Sequence, residues 1–299
     1  MMEPGGPYLN SSALLSPLGL LRCLQALFGC ITLSLVAHDG GFGAASGHFC
    51  MFAWGWCLAL TALILSFEFT RLHSCLSISW DNFTIAFAML ATLMYVTATT
   101  IYPIYFVELE CDQCQSRNFR ISATTSSALA CIAYAVEIHL TRAKPGHTGA
   151  YMATTSGLLK VVQAYVACIL FGALLSGSEY SRYPATQWCV GVYSLCFIIT
   201  ALVIALNVSG RAGLLRCPFD RVVVLYTFLA TLLYLSAAVI WPVFCFDNKY
   251  GSMERPASCS LGDCAWDSQL IIAIFTYINL ILYTVDLIYS QKIRYIAEP

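Results

Sequence analysis

Long apolar runs, separated by short polar stretches, occupy most of this 299-residue chain. A helix needs about 20 mainly apolar residues to cross a bilayer. Eight segments meet that length, and they lie at 17–37, 48–69, 82–106, 119–140, 157–176, 186–208, 221–245 and 268–290. The fourth is the least apolar, but its small and hydroxyl side chains suit close helix packing in lipid. The pattern predicts an all-α integral membrane protein with eight transmembrane helices.

The apolar segments form two copies of one four-helix unit. The run Gly19-Leu20-Leu21-Arg22 in the first segment returns as Gly157-Leu158-Leu159-Lys160 in the fifth. Other residues recur at one constant spacing, namely Cys50 and Cys189, Cys57 and Cys196, Asp81 and Asp220, and Pro103 and Pro242. Tyr134-x-Val136-Glu137 is likewise echoed by Tyr283-x-Val285-Asp286. Such repetition indicates a duplicated membrane bundle.

The repeat and the apolar runs together predict the domain organisation. Two four-helix domains, 17–144 and 157–294, are joined by a cytoplasmic linker at 145–156, with short ends at 1–16 and 295–299. The first segment carries Arg22 and has no basic stretch before it, so we expect it to remain as a helix and not to be a cleaved signal peptide.

Composition and charge fit this interpretation and add an orientation. Hydrophobic residues make up 59% and charged residues 10%, against about 25% charged in an average soluble domain. Basic residues gather beside the second, fourth and sixth connections and the C-terminus, at Arg71, Arg142, Lys144, Arg211, Arg216, Arg221, Lys292 and Arg294. The opposite loops carry more acid, so the positive-inside rule predicts that both termini are cytoplasmic. The glycosylation sequons at Asn10, Asn82 and Asn207 then face the cytoplasm and should be unused.

Four of the fifteen cysteines lie in matching loops on the predicted outer face. Cys111 and Cys114 follow the third segment, and Cys259 and Cys264 follow the seventh. Oxidising conditions outside the cell favour disulfides among these four thiols, and a zinc site is the alternative. The sequence alone does not fix how they pair.

Other cysteines lie at the predicted cytoplasmic rim or inside the helices. Cys75 and Cys217, beside basic residues, are candidate palmitoylation sites or unmodified rim thiols. The repeated pairs at Cys50, Cys57, Cys189 and Cys196 lie seven residues apart on a helix face, where we interpret them as small packing residues.

Opposite charges recur at matched depth near the predicted cytoplasmic ends of the first and last helix of each copy. Arg22 and Glu137 occupy these positions in the first copy, and Lys160 and Asp286 in the second. At about 1.5 Å of rise per residue, the acids lie only about 6 Å inside the membrane. Since the first and fourth helices of an up-down bundle are neighbours, we predict one ion pair per bundle. The alternative is that the four side chains reach separately towards the headgroups.

Apart from the zinc alternative at the four outer-loop cysteines, nothing in the sequence indicates an enzyme, a metal site or a cofactor site. The five histidines do not pair at the four-residue spacing of a helical metal site, and no nucleophile elbow or phosphate loop is present. We interpret the central parts of the apolar segments as consisting of Leu, Ala, Ile, Phe and Thr. Such a composition argues against a polar transport pathway. Asp81 and Asp220 are predicted to cap their helices.

Three segments resemble the myeloid-associated differentiation marker family. They are Ala133-Tyr134-Ala135-Val136-Glu137, Tyr151-Met152-Ala153-Thr154 and Ala237-Ala238-Val239-Ile240-Trp241-Pro242-Val243-Phe244. The resemblance, which also includes the tandem four-span architecture, implies two MARVEL domains. Family members are associated with membrane rafts, cell spreading and cortical control and have no known catalytic site, so the resemblance supplies no functional residue to transfer.

Two classes of function follow. The favoured one is a non-enzymatic membrane scaffold in the plasma membrane or in vesicles. Its expected partners are lipids, among them cholesterol-rich ones, and membrane or cortical proteins, with self-association as a further option and no nucleic acid. The alternative is a transporter or channel for a small solute or protons, with a site between the two repeats.

Overall fold

The computed structural model describes residues 14–40, 42–107, 115–142, 150–212, 219–257, 259 and 264–297, with side chains up to residue 290. Eight helices in these ranges are long and apolar enough to cross a membrane. They are α1 (Pro17–Asp39), α2 (Ala45–Phe69), α3 (Trp80–Phe106), α4 (Gln115–Thr141), α5 (Thr155–Leu175), α6 (Pro184–Val208), α7 (Phe219–Phe246) and α8 (Ala265–Ala297). The described residues contain no strand. The prediction of an all-α protein with eight transmembrane helices is therefore confirmed.

The chain divides into two compact units, Met1–Ala153 and Thr154–Pro299. In the first unit α1 packs against α4 and α2, and α3 packs against α2 and α4. In the second unit α5, α6, α7 and α8 repeat that arrangement. The closed ring of four helices places the first and last helix of each unit side by side, which brings their polar residues together.

Local sequence signals explain where several helices begin and end. The Ser16 side chain accepts a hydrogen bond from the Gly19 amide at 3.0 Å, and Pro17 is the first residue of α1. Thr154 caps α5 in the same way, through the Gly157 amide at 3.1 Å. After α1, Gly40 adopts a left-handed conformation with φ of 68°, which costs a glycine little.

The prediction that Asp81 and Asp220 cap their helices is wrong. Helix α3 begins at Trp80, so Asp81 lies in its first turn and Ser79 holds the capping position. Asp220 lies in the first turn of α7, which begins at Phe219. Both acids still lie at a helix N-terminus, where the helix dipole favours negative charge.

The interior of each unit is built from aromatic, small and polar side chains. Trp54, Tyr95 and Tyr134 are fully buried in the first unit, as are Tyr193 and Trp241 in the second. The helical cysteines at positions 50, 57, 189 and 196 are also fully buried. Large aliphatic residues cover the outside instead, since lipid surrounds the helices and apolar surface need not be hidden.

Candidate functional site

Four polar side chains come together in the first unit, in a cluster that we call the first ionic cluster. It comprises Arg22 and Gln25 from α1, Glu68 from α2 and Glu137 from α4. Arg22 and Gln25 are one helical turn apart, so their side chains leave the same face of α1. The cluster lies at the predicted cytoplasmic end of the bundle.

Arg22 bonds both carboxylates of the first ionic cluster. Its Nε donates to Glu137 Oε1 at 2.7 Å, and its Nη2 lies 2.7 Å from the same oxygen. Its Nη1 donates to Glu68 Oε1. The Gln25 amide donates to the other oxygen of Glu137 at 2.7 Å. Both oxygens of Glu137 are therefore occupied by donors from α1.

Burial makes this pairing necessary. Arg22 is 4% exposed and Glu137 is 3% exposed. A charge buried without a partner destabilises a protein strongly, whereas a paired and hydrogen-bonded charge can be accommodated. Glu68 lies nearer the surface and also accepts a hydrogen bond from Trp80 Nε1 at 3.0 Å. The cluster thus fastens α1 to α4 and links both to the connection between α2 and α3.

The second unit contains a matching cluster, the second ionic cluster, formed by Ser156, Lys160 and Gln163 from α5, Thr227 from α7 and Asp286 from α8. Lys160 Nζ lies 2.7 Å from Asp286 Oδ2 and donates to Thr227 Oγ1 at 2.8 Å. The Gln163 amide and the Ser156 hydroxyl donate to Asp286 at 3.0 and 2.5 Å. Lys160 and Asp286 are both fully buried.

Aromatic rings surround the lysine of the second ionic cluster. Lys160 Nζ lies 5.1 Å from the centre of the Tyr226 ring and 5.4 Å from that of Tyr283. The ring faces are negative and attract a desolvated cation. The Thr200 hydroxyl lies within 2.8 Å of both tyrosine hydroxyls and so ties the two rings together. In the second unit, two tyrosine rings and the Thr227 hydroxyl take the place that the second carboxylate, Glu68, has in the first unit.

The two clusters contain residues that sequence reasoning missed. The structure brings Arg22 to Glu137 and Lys160 to Asp286, the residues singled out by charge and depth. Glu68 was missed because the repeat replaces it with Asn207, whose amide bonds the Val203 carbonyl of its own helix. Gln25 and Gln163 recur in the repeat at a fixed distance from the bases, and that recurrence was the available signal.

The middle of the second bundle is more polar than the sequence interpretation allowed. Thr276, Asn279 and Tyr283 lie at helical spacing on α8, and all three are buried. The Asn279 amide donates to Tyr234 OH at 2.7 Å, and the hydroxyls of Thr276 and Tyr193 lie 2.7 Å apart. The interpretation that the helix centres contain only Leu, Ala, Ile, Phe and Thr is therefore wrong. Along the sequence, the polar residues of α8 are separated by apolar residues, so the polar stripe that faces the bundle interior is not apparent from hydropathy. None of the stripe residues is charged.

The predicted cysteine sites have different outcomes. Cys259 and Cys264 form a disulfide with each other. Cys111, Cys114 and Cys217 lie outside the described residues. Cys75 is an exposed free thiol in the short helical turn after α2. Within the described ranges, no group of three or more metal-binding side chains comes together.

A cavity of about 400 Å³ lies at the other end of the second unit, near the Cys259–Cys264 disulfide. Its wall includes Tyr183, Phe244, Tyr250, Trp266 and Gln269. Asp267, beside Trp266, bonds the Arg255 guanidinium at 2.8 and 3.0 Å. That hydrogen bond raises the pKa of Arg255 above its ordinary value. The pair and the disulfide fasten the loop between α7 and α8 beside the cavity.

Known proteins are similar to this chain over its whole length. The MARVEL family, described as a membrane-associating domain, matches residues 13–140 and again 151–289. Myeloid-associated differentiation marker-like protein 2 from Homo sapiens is 61% identical over 302 residues, covering 100% of this chain and 98% of its own. The protein of that name from Xenopus laevis is 59% identical, with 100% of both chains covered.

More distant relatives extend the same pattern. The human myeloid-associated differentiation marker is 41% identical over 301 residues, covering 98% of this chain and 93% of its own. No solved structure matches the chain. Two membrane-associating domain matches, eight apolar helices and these whole-length similarities agree. The chain therefore belongs to the MARVEL family, as a multi-pass membrane protein of the myeloid-associated differentiation marker group.

Proposed function

We propose that the protein is a non-enzymatic membrane scaffold that organises lipid and protein partners laterally within membrane microdomains. Its partners on this proposal are cholesterol-rich lipids, membrane or cortical proteins and further copies of the chain, in the plasma membrane or in vesicles. The partners bind to the outer surface of the helix bundles and to the cytoplasmic connections.

The observation that carries the proposal is the internal pairing of charge. Four charged side chains are buried in the described residues, Arg22, Glu137, Lys160 and Asp286, and each pairs with another of the four. In transporters, intramembrane charged residues face a substrate or ion pathway inside the bundle. Here the charges are used to hold helices together.

The perimeter supports the same proposal. On α6, Ile198 and Leu202 are 59% and 58% exposed and share one helix face. On α7, Leu225 and Val239 are 60% and 61% exposed. These side chains can be changed without disturbing the interior, so they are suitable for separating partner binding from folding.

Proximity labelling from the C-terminus in cells tests the proposal, with an unrelated eight-span protein as the control. Replacing Ile198 and Leu202 with alanine should remove part of the labelled set while leaving the detergent-solubilised thermal midpoint unchanged. Thr200→Ala, on the buried face of the same helix, is the matched control and should lower the midpoint. A labelled set equal to that of the unrelated protein would contradict the scaffold function.

A further inference from the structure

Each ionic cluster contains a glutamine whose amide orientation is fixed by its neighbours. Gln25 Nε2 donates to Glu137 Oε2 at 2.7 Å and lies 3.4 Å from the Ala133 carbonyl. Gln163 Nε2 donates to Asp286 Oδ2 at 3.0 Å and lies 3.4 Å from the Leu282 carbonyl. Exchanging the amide nitrogen and oxygen would aim the oxygen at a carboxylate and a carbonyl, which cannot donate.

The side-chain oxygens of these two glutamines have no hydrogen-bond donor among the described residues. Gln25 is 1% exposed and Gln163 is fully buried. A buried acceptor left without a donor destabilises a protein, and native structures contain few of them. The same atom is in the same situation in both units, which points to a common cause.

The missing donor must be small, and it must be available inside a membrane protein. Lipid tails have no donor, and a headgroup or solute cannot reach atoms that are shielded from the surface. Water meets both conditions, and buried waters usually serve polar groups that the chain leaves unsatisfied. We infer that each four-helix unit binds internal water at its cluster glutamine, Gln25 in the first unit and Gln163 in the second.

The second unit extends this polar interior towards the membrane middle. Asn279 Oδ1 is another buried acceptor without a donor among the described residues, while the amide nitrogen of Asn279 donates to Tyr234. The first unit has Ala130 at the matching position, and Tyr95, the counterpart of Tyr234, has a buried hydroxyl without a described partner. The water site of the second unit therefore gains an amide acceptor at a position where the first unit has only a methyl group.

Bound water changes the character of the ion pairs. A water molecule beside Glu137 or Asp286 can exchange hydrogen bonds with the carboxylate, so the pair can loosen without leaving a bare charge. The two clusters are thus hydrated sites enclosed by the bundles.

Hydroxyl-radical labelling of the full chain in lipid nanodiscs tests the inference. A short X-ray pulse in heavy-oxygen water generates radicals from internal water, which label nearby side chains. The probes are Tyr234 and Tyr283 in the second unit and Tyr95 and Tyr134 in the first, all fully or almost fully buried. Trp241 is the control, because it is equally buried and its indole N–H is bonded to the Gln269 carbonyl.

We expect heavy-oxygen labelling of the four tyrosines and no labelling of Trp241. Equal labelling of Trp241 would mean that the bundle opens to bulk water, and no labelling of the tyrosines would mean that the interior is dry. Either result would overturn the inference.

Gln163→Met and Gln25→Met assign the water to the glutamines. Each substitution keeps the approximate length of the side chain but removes the acceptor oxygen, together with the amide that donates to the carboxylate. Gln163→Met should abolish labelling of Tyr234 and Tyr283 and leave Tyr95 and Tyr134 unchanged, and Gln25→Met should do the reverse. Labelling that persists in the altered unit would show that the glutamine does not hold the water. If Gln163→Met opens the second unit to bulk water, Trp241 becomes labelled; if Gln25→Met opens the first, the equally buried Trp54 becomes labelled. In either case the wild-type result decides.

Discussion

Arg22 lies between two carboxylates, whereas Lys160 faces a single carboxylate together with hydroxyl groups and rings. A guanidinium presents several donors in a rigid fork and can serve two acids at once, while an ammonium is a compact charge that fits a hydroxyl-lined, aromatic site. The chemical difference between the two bases therefore matches the difference between their surroundings. Each unit thus stabilises a buried basic side chain, the first with two carboxylates and the second with one carboxylate, a hydroxyl group and aromatic rings.

Glu137 should matter more than Glu68 for the stability of the first unit. Glu137 is almost fully buried and accepts from Arg22 and Gln25, whereas the Glu68 side chain is 20% exposed. We expect Glu137→Gln to lower the thermal midpoint in detergent more than Glu68→Gln does. A double-mutant cycle of Glu137→Gln with Arg22→Gln should give a coupling of about 1 to 2 kcal/mol. Simple additivity would mean that the two side chains act separately.

The site around Lys160 should reject a larger base. Lys160→Arg keeps the charge but must place a guanidinium between Thr227, Tyr226 and Tyr283, which already enclose the ammonium. Overpacking a filled interior typically costs about 1 to 3 kcal/mol. Arg22→Lys in the first unit introduces no steric conflict but gives up part of the contact with two carboxylates, so each variant is compared with the wild type. A thermal midpoint of Lys160→Arg equal to that of the wild type would argue against a site shaped for lysine.

The sequence revealed part of these clusters. Opposite charges at matched depth drew attention to Arg22, Glu137, Lys160 and Asp286, which the structure brings together in pairs. Glu68 was missed, because the repeat replaces it with Asn207 and the charge argument relied on recurrence. The roles of Thr227 and the surrounding tyrosines depend on how α7 turns towards α5, and hydropathy does not encode that rotation.

At the scale of the helices, apolar length gave the number of elements but not their ends. Helix α2 begins at Ala45 and α4 at Gln115, each before the corresponding apolar run, and α8 continues to Ala297. Backbone hydrogen bonding can continue through polar residues at the membrane surface, where hydropathy has already fallen. Helix α3 likewise begins at Trp80, before its apolar run. For this reason the prediction that Asp81 caps the helix was wrong.

Gly47 in the first turn of α2 should tolerate no side chain. A Cβ atom there would lie 2.6 Å from Phe42 Cα and 2.8 Å from Phe106 Cζ, and Phe42 belongs to the backbone that enters the helix. Gly47→Ala should therefore lower stability by about 1 to 3 kcal/mol. Gly55→Ala, in the same helix, is the control because nothing lies within 4 Å of its added Cβ. Thermal unfolding in detergent compares them, and a neutral Gly47→Ala would contradict the packing of this turn.

At the scale of the whole molecule, duplication supplies two bundles with related interiors and different details. The paired charges and the polar stripe on α8 are hidden, while aliphatic side chains cover the perimeter. The orientation of the chain in the membrane rests on the distribution of basic residues, which hydropathy and packing do not determine.

Tags at three positions test that orientation. Tags inserted after Lys144 and at the C-terminus should be inaccessible in intact cells and become accessible after permeabilisation. A tag near Ser252, in the connection between α7 and α8, should be accessible without permeabilisation. Surface staining of the tag after Lys144 would refute cytoplasmic termini.

On the proposed function, the buried charges hold the bundles together and do not carry ions. Proteoliposomes containing the purified full chain test this directly, with proton flux measured under an imposed membrane potential by an internal pH dye. We predict flux equal to that of empty liposomes for the wild type and for Asp286→Asn, together with a lower thermal midpoint for the variant. Flux above that background in the wild type, abolished by Asp286→Asn or Glu137→Gln, would contradict a purely structural role of the charges and favour a proton-coupled transporter.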